Sequence, residues 1–325
     1  MTKPLLKVQD LRTSFYLREG ELKAVDRVNF SIDPGEILGL VGESGCGKSV
    51  TALSILRLIP DPPGRIVGGK IFFKGDNLLE KTEKEMRAIR GNQISMIFQD
   101  PTSSLNPVFQ VGNQVDEVLE IHQAQTFSEE EIFVKTVEML QLVGIPQAES
   151  RRGEYPHEFS GGMQQRVMTA MALACEGDLL IADEPTTALD VTIQAQIIDL
   201  MLKLRKELGL AILLITHNMG LIAEMCDKVA VMYAGSIVET AQILDIFDSP
   251  QHPYTKALLN CLPRLDVDLN RLEIIKGRVP NPIDLPKACK FAPRCSHAMD
   301  VCRREIPTQM QVSPDHTVSC FLYSK

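Results

Sequence analysis

The sequence predicts an α/β fold, a parallel sheet with helices on both faces, followed by a small Pro- and Cys-rich C-terminal domain. Three observations predict it. Short apolar runs recur through the first 240 residues, with helical patterns between them. One of those runs leads straight into a glycine-rich loop that opens a helix. Beyond Pro250 the alternation stops, and prolines recur at 250, 253, 263, 280, 282, 286, 293, 307 and 314.

Val28, Phe30 and Ile32 alternate with Arg27, Asn29 and Ser31, the period of a half-buried strand. The runs Ile37–Val41, Ile94–Phe98, Leu179–Ala182, Ile212–Ile215 and Val229–Tyr233 are apolar throughout or nearly so, as strands covered on both faces are. Ser128 with Glu131 is a capping-box pair that opens a helix running to about Gly144. Another helix, Val191–Leu208, stops before Gly209, the residue type that ends helices most readily. The prolines of the tail preclude long helices there, so that segment needs some other cross-link. The expected boundary lies between residues 1–240 and 241–325.

At ~150 residues per domain, 325 residues suggest about two domains. With 44% hydrophobic and 23% charged residues the composition is globular, and disorder is disfavoured. The longest apolar stretch, around Leu208–Ile215, is far short of the ~18–20 residues a bilayer core demands. The first residues lack the apolar core of a signal peptide, so a cytoplasmic location is expected. Net charge is −8: residues 241–325 carry 11 Lys/Arg against 9 Asp/Glu, and the first 240 carry 23 against 33. An acidic main body argues against bulk nucleic acid as the chief partner.

Gly42-Glu43-Ser44-Gly45-Cys46-Gly47-Lys48-Ser49 fits the phosphate loop G-x-x-x-x-G-K-[ST], and Val50 continues into the helix. The glycines let backbone N–H groups curl round phosphate oxygens while the helix points its positive end at them. Lys48 would reach the β- and γ-phosphates, and Ser49 would ligate Mg²⁺. Cys46 reads as a small loop residue. Downstream, the strand Leu179–Ala182 ends in Asp183 and Glu184. Asp183 would hold Mg²⁺ through water, and Glu184 would take a proton from the attacking water. Between them, Ser160-Gly161-Gly162 at the start of an apolar helix makes a second anion-binding end. One nucleotide does not need two such ends, which suggests that the second serves a nucleotide held by another subunit.

The order phosphate loop, Gln99, Ser160-Gly161-Gly162-Met163-Gln164, Asp183-Glu184, Ala188-Leu189-Asp190 and His217 resembles an ATP-binding cassette (ABC) ATPase over residues 5–240. The resemblance implies an ABC-type nucleotide-binding domain, a P-loop NTPase core with an antiparallel β portion and a helical subdomain at about 100–165. It implies a head-to-tail dimer with two ATP molecules, each between the phosphate loop of one subunit and Ser160, Gly161 and Gly162 of the other. It gives Gln99 the role of joining Mg²⁺ to the transporter contact, places Asp190 in the dimer loop, and sets His217 on the γ-phosphate. Phe15 or Tyr16 would stack on adenine, with the spacing favouring Phe15. An ordinary loop amide and a solvated turn residue are the alternative readings of Gln99 and His217. Phe159 and Met163 depart from the commoner Leu-Ser-Gly-Gly-Gln, while Ser160 and both glycines are intact.

Phe98–Pro107 and His252-Pro253-Tyr254-Thr255 resemble the ATP-binding subunits of bacterial dipeptide and oligopeptide importers, a pattern that nickel importers largely share. The implied partners are a paralogous ATPase or a second copy, two transmembrane permease subunits and, indirectly, an extracellular peptide-binding protein. The implied location is peripheral, at the cytoplasmic face of the membrane. A soluble ABC ATPase acting on nucleic acid or ribosomes is the rival class, opposed by the acidic body and the single phosphate loop.

Cys289, Cys295, Cys302 and Cys320 crowd the last 37 residues, without the close C-x2–4-C knuckles usual in structural zinc sites. Their wider spacing suits a [4Fe–4S] cluster, one thiolate on each iron, stapling the tail. Lys287, Lys290, Arg294, Arg303 and Arg304 would offset its charge. The alternatives are zinc, with His297 or His316 as further ligands, and unliganded core cysteines; apart from zinc, both histidines read as surface residues. Every nucleotide motif lies before residue 220, so ATP binding is expected to survive replacement of any one of the four cysteines by serine.

Overall fold

The computed structural model describes residues 3–99, 104–123, 126–186, 191–262, 274–283 and 285–324. The strands are β1 (Leu6–Leu17), β2 (Gly20–Ile32), β3 (Ile37–Val41), β4 (Gly64–Phe73), β5 (Asp76–Asn77), β6 (Ile94–Ile97), β7 (Leu179–Asp183), β8 (Ala211–Thr216), β9 (Lys228–Tyr233), β10 (Ser236–Gln242), β11 (Met310–Ser313) and β12 (His316–Val318). The helices are α1 (Lys48–Ile55), α2 (Glu83–Ile89), α3 (Val111–Gln123), α4 (Glu129–Leu142), α5 (Ala148–Arg151), α6 (Gly161–Leu173), α7 (Val191–Leu208), α8 (Met219–Met225), α9 (Ile243–Asp248) and α10 (Pro253–Asn260). The chain forms two compact units, Met1–Leu79 with Ile215–Lys325, and Glu80–Leu214.

In the first unit an antiparallel sheet runs in the order β2-β1-β4-β5. Leu6, Val8 and Leu11 of β1 are all buried because the register shifts between Val8 and Leu11, a bulge that returns the apolar side chain to the core. That irregular period hides β1 from a strict alternation search. The second sheet contributes β11-β12-β10-β9-β3, with β3 parallel to β9 and the other pairs antiparallel. Every residue of β3 is buried, which is why its sequence is apolar throughout. The tail belongs to this unit. Its β12 pairs with β10 at Glu239↔Val318 and Thr240↔Thr317, and Phe291 packs against Tyr233 and Tyr254.

The second unit holds the run β8-β7-β6, with β6 and β7 parallel, and a helical part built from α3 to α6. Val111, Val115, Leu119, Ile132, Leu140 and Val167 form its apolar interior. The expected capping box is present: Ser128 Oγ accepts from the Glu131 N–H and the Glu131 carboxylate accepts from the Ser128 N–H. Asp116 on α3 accepts from Thr136 Oγ1 of α4 and pairs with Arg152 just past α5, tying the three helices together.

Candidate nucleotide site

In the first unit the chain leaves β3 at Gly42 and enters α1 at Lys48. Gly47 has φ of 104°, and a Cβ there would lie 2.2 Å from the Ala24 carbonyl oxygen. A Cβ on Gly42 would lie 2.1 Å from the Met232 carbonyl. Both positions therefore demand glycine, for backbone approach as well as dihedral. Lys48 Nζ is turned back over the loop and donates to the carbonyls of Gly42 at 2.8 Å and Glu43 at 3.2 Å. The first turn of α1 carries no acidic side chain, so its partial positive charge stands uncompensated beside that ammonium. Ser49 sits in that turn, while Ser44 and Gly45 are exposed on the loop. Such a loop is chemically suited to a polyphosphate. The Cys46 thiol is buried, and burial pushes its pKa up, so it is a packing residue.

The loop is braced from the tail. The Glu43 N–H donates to Tyr254 Oη at 3.0 Å. The Glu43 carboxylate receives both ends of the Arg294 guanidinium, at 2.7 and 2.9 Å. Sequence reasoning missed this, since Glu43 and Arg294 are 251 positions apart. Sequence motifs alone assign the tail no part in the nucleotide site, yet Tyr254 and Arg294 of the tail contact the phosphate loop at Glu43. Arg294 and Lys290 were expected to offset a cluster's charge. In the structure Arg294 pairs with Glu43, and Lys290 pairs with Asp26 at 2.9 Å.

In the second unit Asp183 ends β7 with a buried carboxyl, and Glu184 follows at φ of 47°. A positive φ is strained for a non-glycine residue and turns the chain sharply out of the strand. Gln99, just past β6, donates from Nε2 to Glu184 Oε2 at 3.1 Å. The parallel β6–β7 pair brings these two residues together across 85 positions. Ser160 caps α6, with its hydroxyl accepting from the Met163 N–H at 3.4 Å. Ser160 and Gly161 are exposed at this helix start, whose first turn is again free of acidic side chains. A Cβ on Gly162 would lie 2.7 Å from Ile193 Cγ2 of α7, so glycine is needed there for packing.

Two family profiles match the chain: "ABC transporter" over residues 25–187, and "Oligopeptide/dipeptide transporter, C-terminal region" over 238–302. The sequence is 53% identical over 318 residues to a probable peptide ABC transporter ATP-binding protein, y4tR, of Sinorhizobium fredii, covering 98% of this chain and 94% of that one. It belongs to the ABC transporter family. It is also 50% identical to the oligopeptide transport ATP-binding protein OppD of Salmonella typhimurium, over 98% of this chain and 93% of that protein. Among solved structures it is similar to the ATP-binding cassette MJ0796 in a dimeric post-hydrolysis state bound to ADP and Pi. That match has a TM-score of 0.66 at 25% identity, over 73% of this chain and 98% of that one.

The other ABC-motif residues are placed as follows. Phe15 is half-buried against Gly64, whose added Cβ would lie 2.7 Å from the ring, whereas Tyr16 is exposed. His217 is exposed between β8 and α8, next to the α8 cap Asn218. Asp190 lies outside the described residues. The two departures in the ABC signature pack into their own unit: Phe159 is buried beneath Arg151, and Met163 Sδ accepts from Arg151 Nη1 at 3.6 Å.

All four late cysteines are free thiols in one region, where the Cys289 N–H donates to the Cys302 carbonyl at 3.0 Å. Cys320 lies within electrostatic reach of the other three. Among the described residues no three His, Cys, Asp or Glu side chains converge closely enough to hold a single metal ion. His316 is not the surface residue expected. It is buried, with Nε2 2.7 Å from Glu239 Oε1.

Proposed function

We propose that this ABC protein hydrolyses ATP to drive uptake of di- or oligopeptides. The observation that carries the reading is its match, over nearly its whole length, to peptide-transport ATP-binding proteins, tail region included. Lys48 and the loop from Gly42 to Ser49 with Val50 bind the phosphates. Glu184, aimed by Gln99, takes the proton of the attacking water, and His217 contacts the γ-phosphate. Phe15 or Tyr16 covers the adenine. Ser49, Gln99 and Asp183 would hold Mg²⁺, which supplies neutralising charge at the β- and γ-phosphates. Ser160, Gly161, Gly162 and Asp190 serve the nucleotide of a second subunit, either a paralogue or another copy. The partners in this reading are two membrane permease subunits and, indirectly, an extracellular peptide-binding protein. Among the described residues no helix is long and apolar enough to cross a membrane, which suits a peripheral subunit at the cytoplasmic face.

Residues 1–240 are the ATP-binding domain in this reading, and 241–325 the tail domain. Four free thiols gathered in one region fit a [4Fe–4S] cluster in number and chemistry. A single zinc ion would need several of these side chains to converge on one point, which no group among the described residues does, whereas a [4Fe–4S] cluster would take one thiolate on each iron. The cluster would cross-link Cys289, Cys295, Cys302 and Cys320.

Proteoliposomes carrying the transporter test the reading. ATP-dependent uptake of a labelled tri- to pentapeptide is expected, lost with Glu184→Gln. Uptake of Ni²⁺ and no peptide would move the chain to the nickel importers.

A further inference from the structure

We propose that Arg294 is a positioning residue of the nucleotide site: it holds and neutralises Glu43, so that the tail sets the affinity of the phosphate loop. This inference rests on the nucleotide reading above. Arg294 has five N–H donors and all are used. Two go to the Glu43 carboxylate, one to Tyr233 Oη at 3.3 Å, and two to the carbonyls of Ile275 and Lys276 at 3.2 and 3.1 Å. Its side chain is only 4% exposed. The fork is therefore fixed by tail backbone on one side and presented to the loop on the other.

Glu43 is an unusual side chain to stand beside a polyphosphate. Lys48, the cation that meets the phosphates, donates to the carbonyl of Glu43 itself. An uncompensated carboxylate on that residue would repel the ligand and compete for Lys48. The bidentate pair cancels its charge and fixes its direction. Tyr254 fixes the same residue's N–H, so two tail side chains together set the curvature of the loop at its second position.

The test is the equilibrium affinity of the full chain for MgATP and for adenosine, in low and high salt. For Arg294→Met about tenfold weaker MgATP binding is expected, the size of one unscreened charge near the phosphates, with less loss in high salt. Adenosine affinity should not change. Glu43→Gln added to Arg294→Met should restore MgATP affinity to within about threefold of the parent, because the repelling charge is gone. Arg294→Lys, which keeps the cation without the fork, should lose less than Arg294→Met. Unchanged MgATP affinity in Arg294→Met overturns the proposal. So does a double variant as weak as the single one, which would mean that Arg294 only packs the tail. If Arg294→Met fails to fold, Arg294→Lys as weak as Lys48→Ala overturns the charge argument. Wild-type protein that ignores MgATP, or Lys48→Ala that binds it normally, would instead refute the nucleotide reading.

Discussion

Replacing Glu239 by alanine should release the tail from the first unit. Glu239 lies on β10, is fully buried, and accepts three hydrogen bonds: from the Gln251 N–H at 2.6 Å, the His252 N–H at 2.9 Å and His316 Nε2 at 2.7 Å. The first two fix the entry to α10, which carries Tyr254 to the phosphate loop, and the third fixes β12. Alanine would leave those donors facing a small cavity. At ~1–3 kcal/mol per stranded donor the loss is roughly 3–9 kcal/mol, less whatever entering water recovers. That is comparable with the ~5–15 kcal/mol that holds a typical domain folded, and here it falls on one segment. Hydrogen exchange read by mass spectrometry is the assay. Amides at residues 251–258 and 310–318 should lose at least ~100-fold in protection, while β6 and β7 stay protected. MgATP affinity should fall with them. Unchanged protection of both tail segments in a folded variant would refute the reasoning.

Glu184→Gln should bind MgATP but hydrolyse it ~10²–10⁴-fold more slowly, the usual weight of a general base; single-turnover hydrolysis at the parent rate would remove Glu184 from that role. His252 is buried and its pKa is pushed down to about 3, while its Nδ1 must stay unprotonated to accept from the Tyr254 N–H. A depressed histidine contributes full stability above its unfolded pKa of ~6.5 and loses it as pH falls from there towards 3, so about 1.4 kcal/mol is gone by pH ~5.5. Asparagine at 252 keeps the cap without the titration, and its melting temperature should fall less between pH 7 and 5.5 than the parent's. Anaerobically purified protein should contain about four irons and four sulfides per chain and little zinc, and Cys302→Ser should lose them and weaken MgATP binding through the Arg294 segment. Elemental analysis showing one zinc and no iron would refute the cluster.

The sequence by itself determined what depends on neighbours along the chain. The loop from Gly42 to Ser49 is legible because its glycines, lysine and serine must be contiguous to wrap one phosphate group. β3 and β7 are legible because burial on both faces writes an unbroken apolar run. The α4 capping box and the end of α7 are legible because caps are local hydrogen-bond problems. β1 and the β11–β12 hairpin were not, since a bulge breaks the period of the first and the second is held by pairing to β10 rather than by its own pattern. Only the tertiary structure decided that Gln99 meets Glu184, that His316 is buried on Glu239, and that Arg294 and Tyr254 brace Glu43. Each of these is a pairing between residues far apart in sequence. A lone Arg or Glu carries no local mark of its partner, because the partner is chosen by where β-sheet pairing and the packing of Tyr233, Tyr254 and Phe291 bring the backbone.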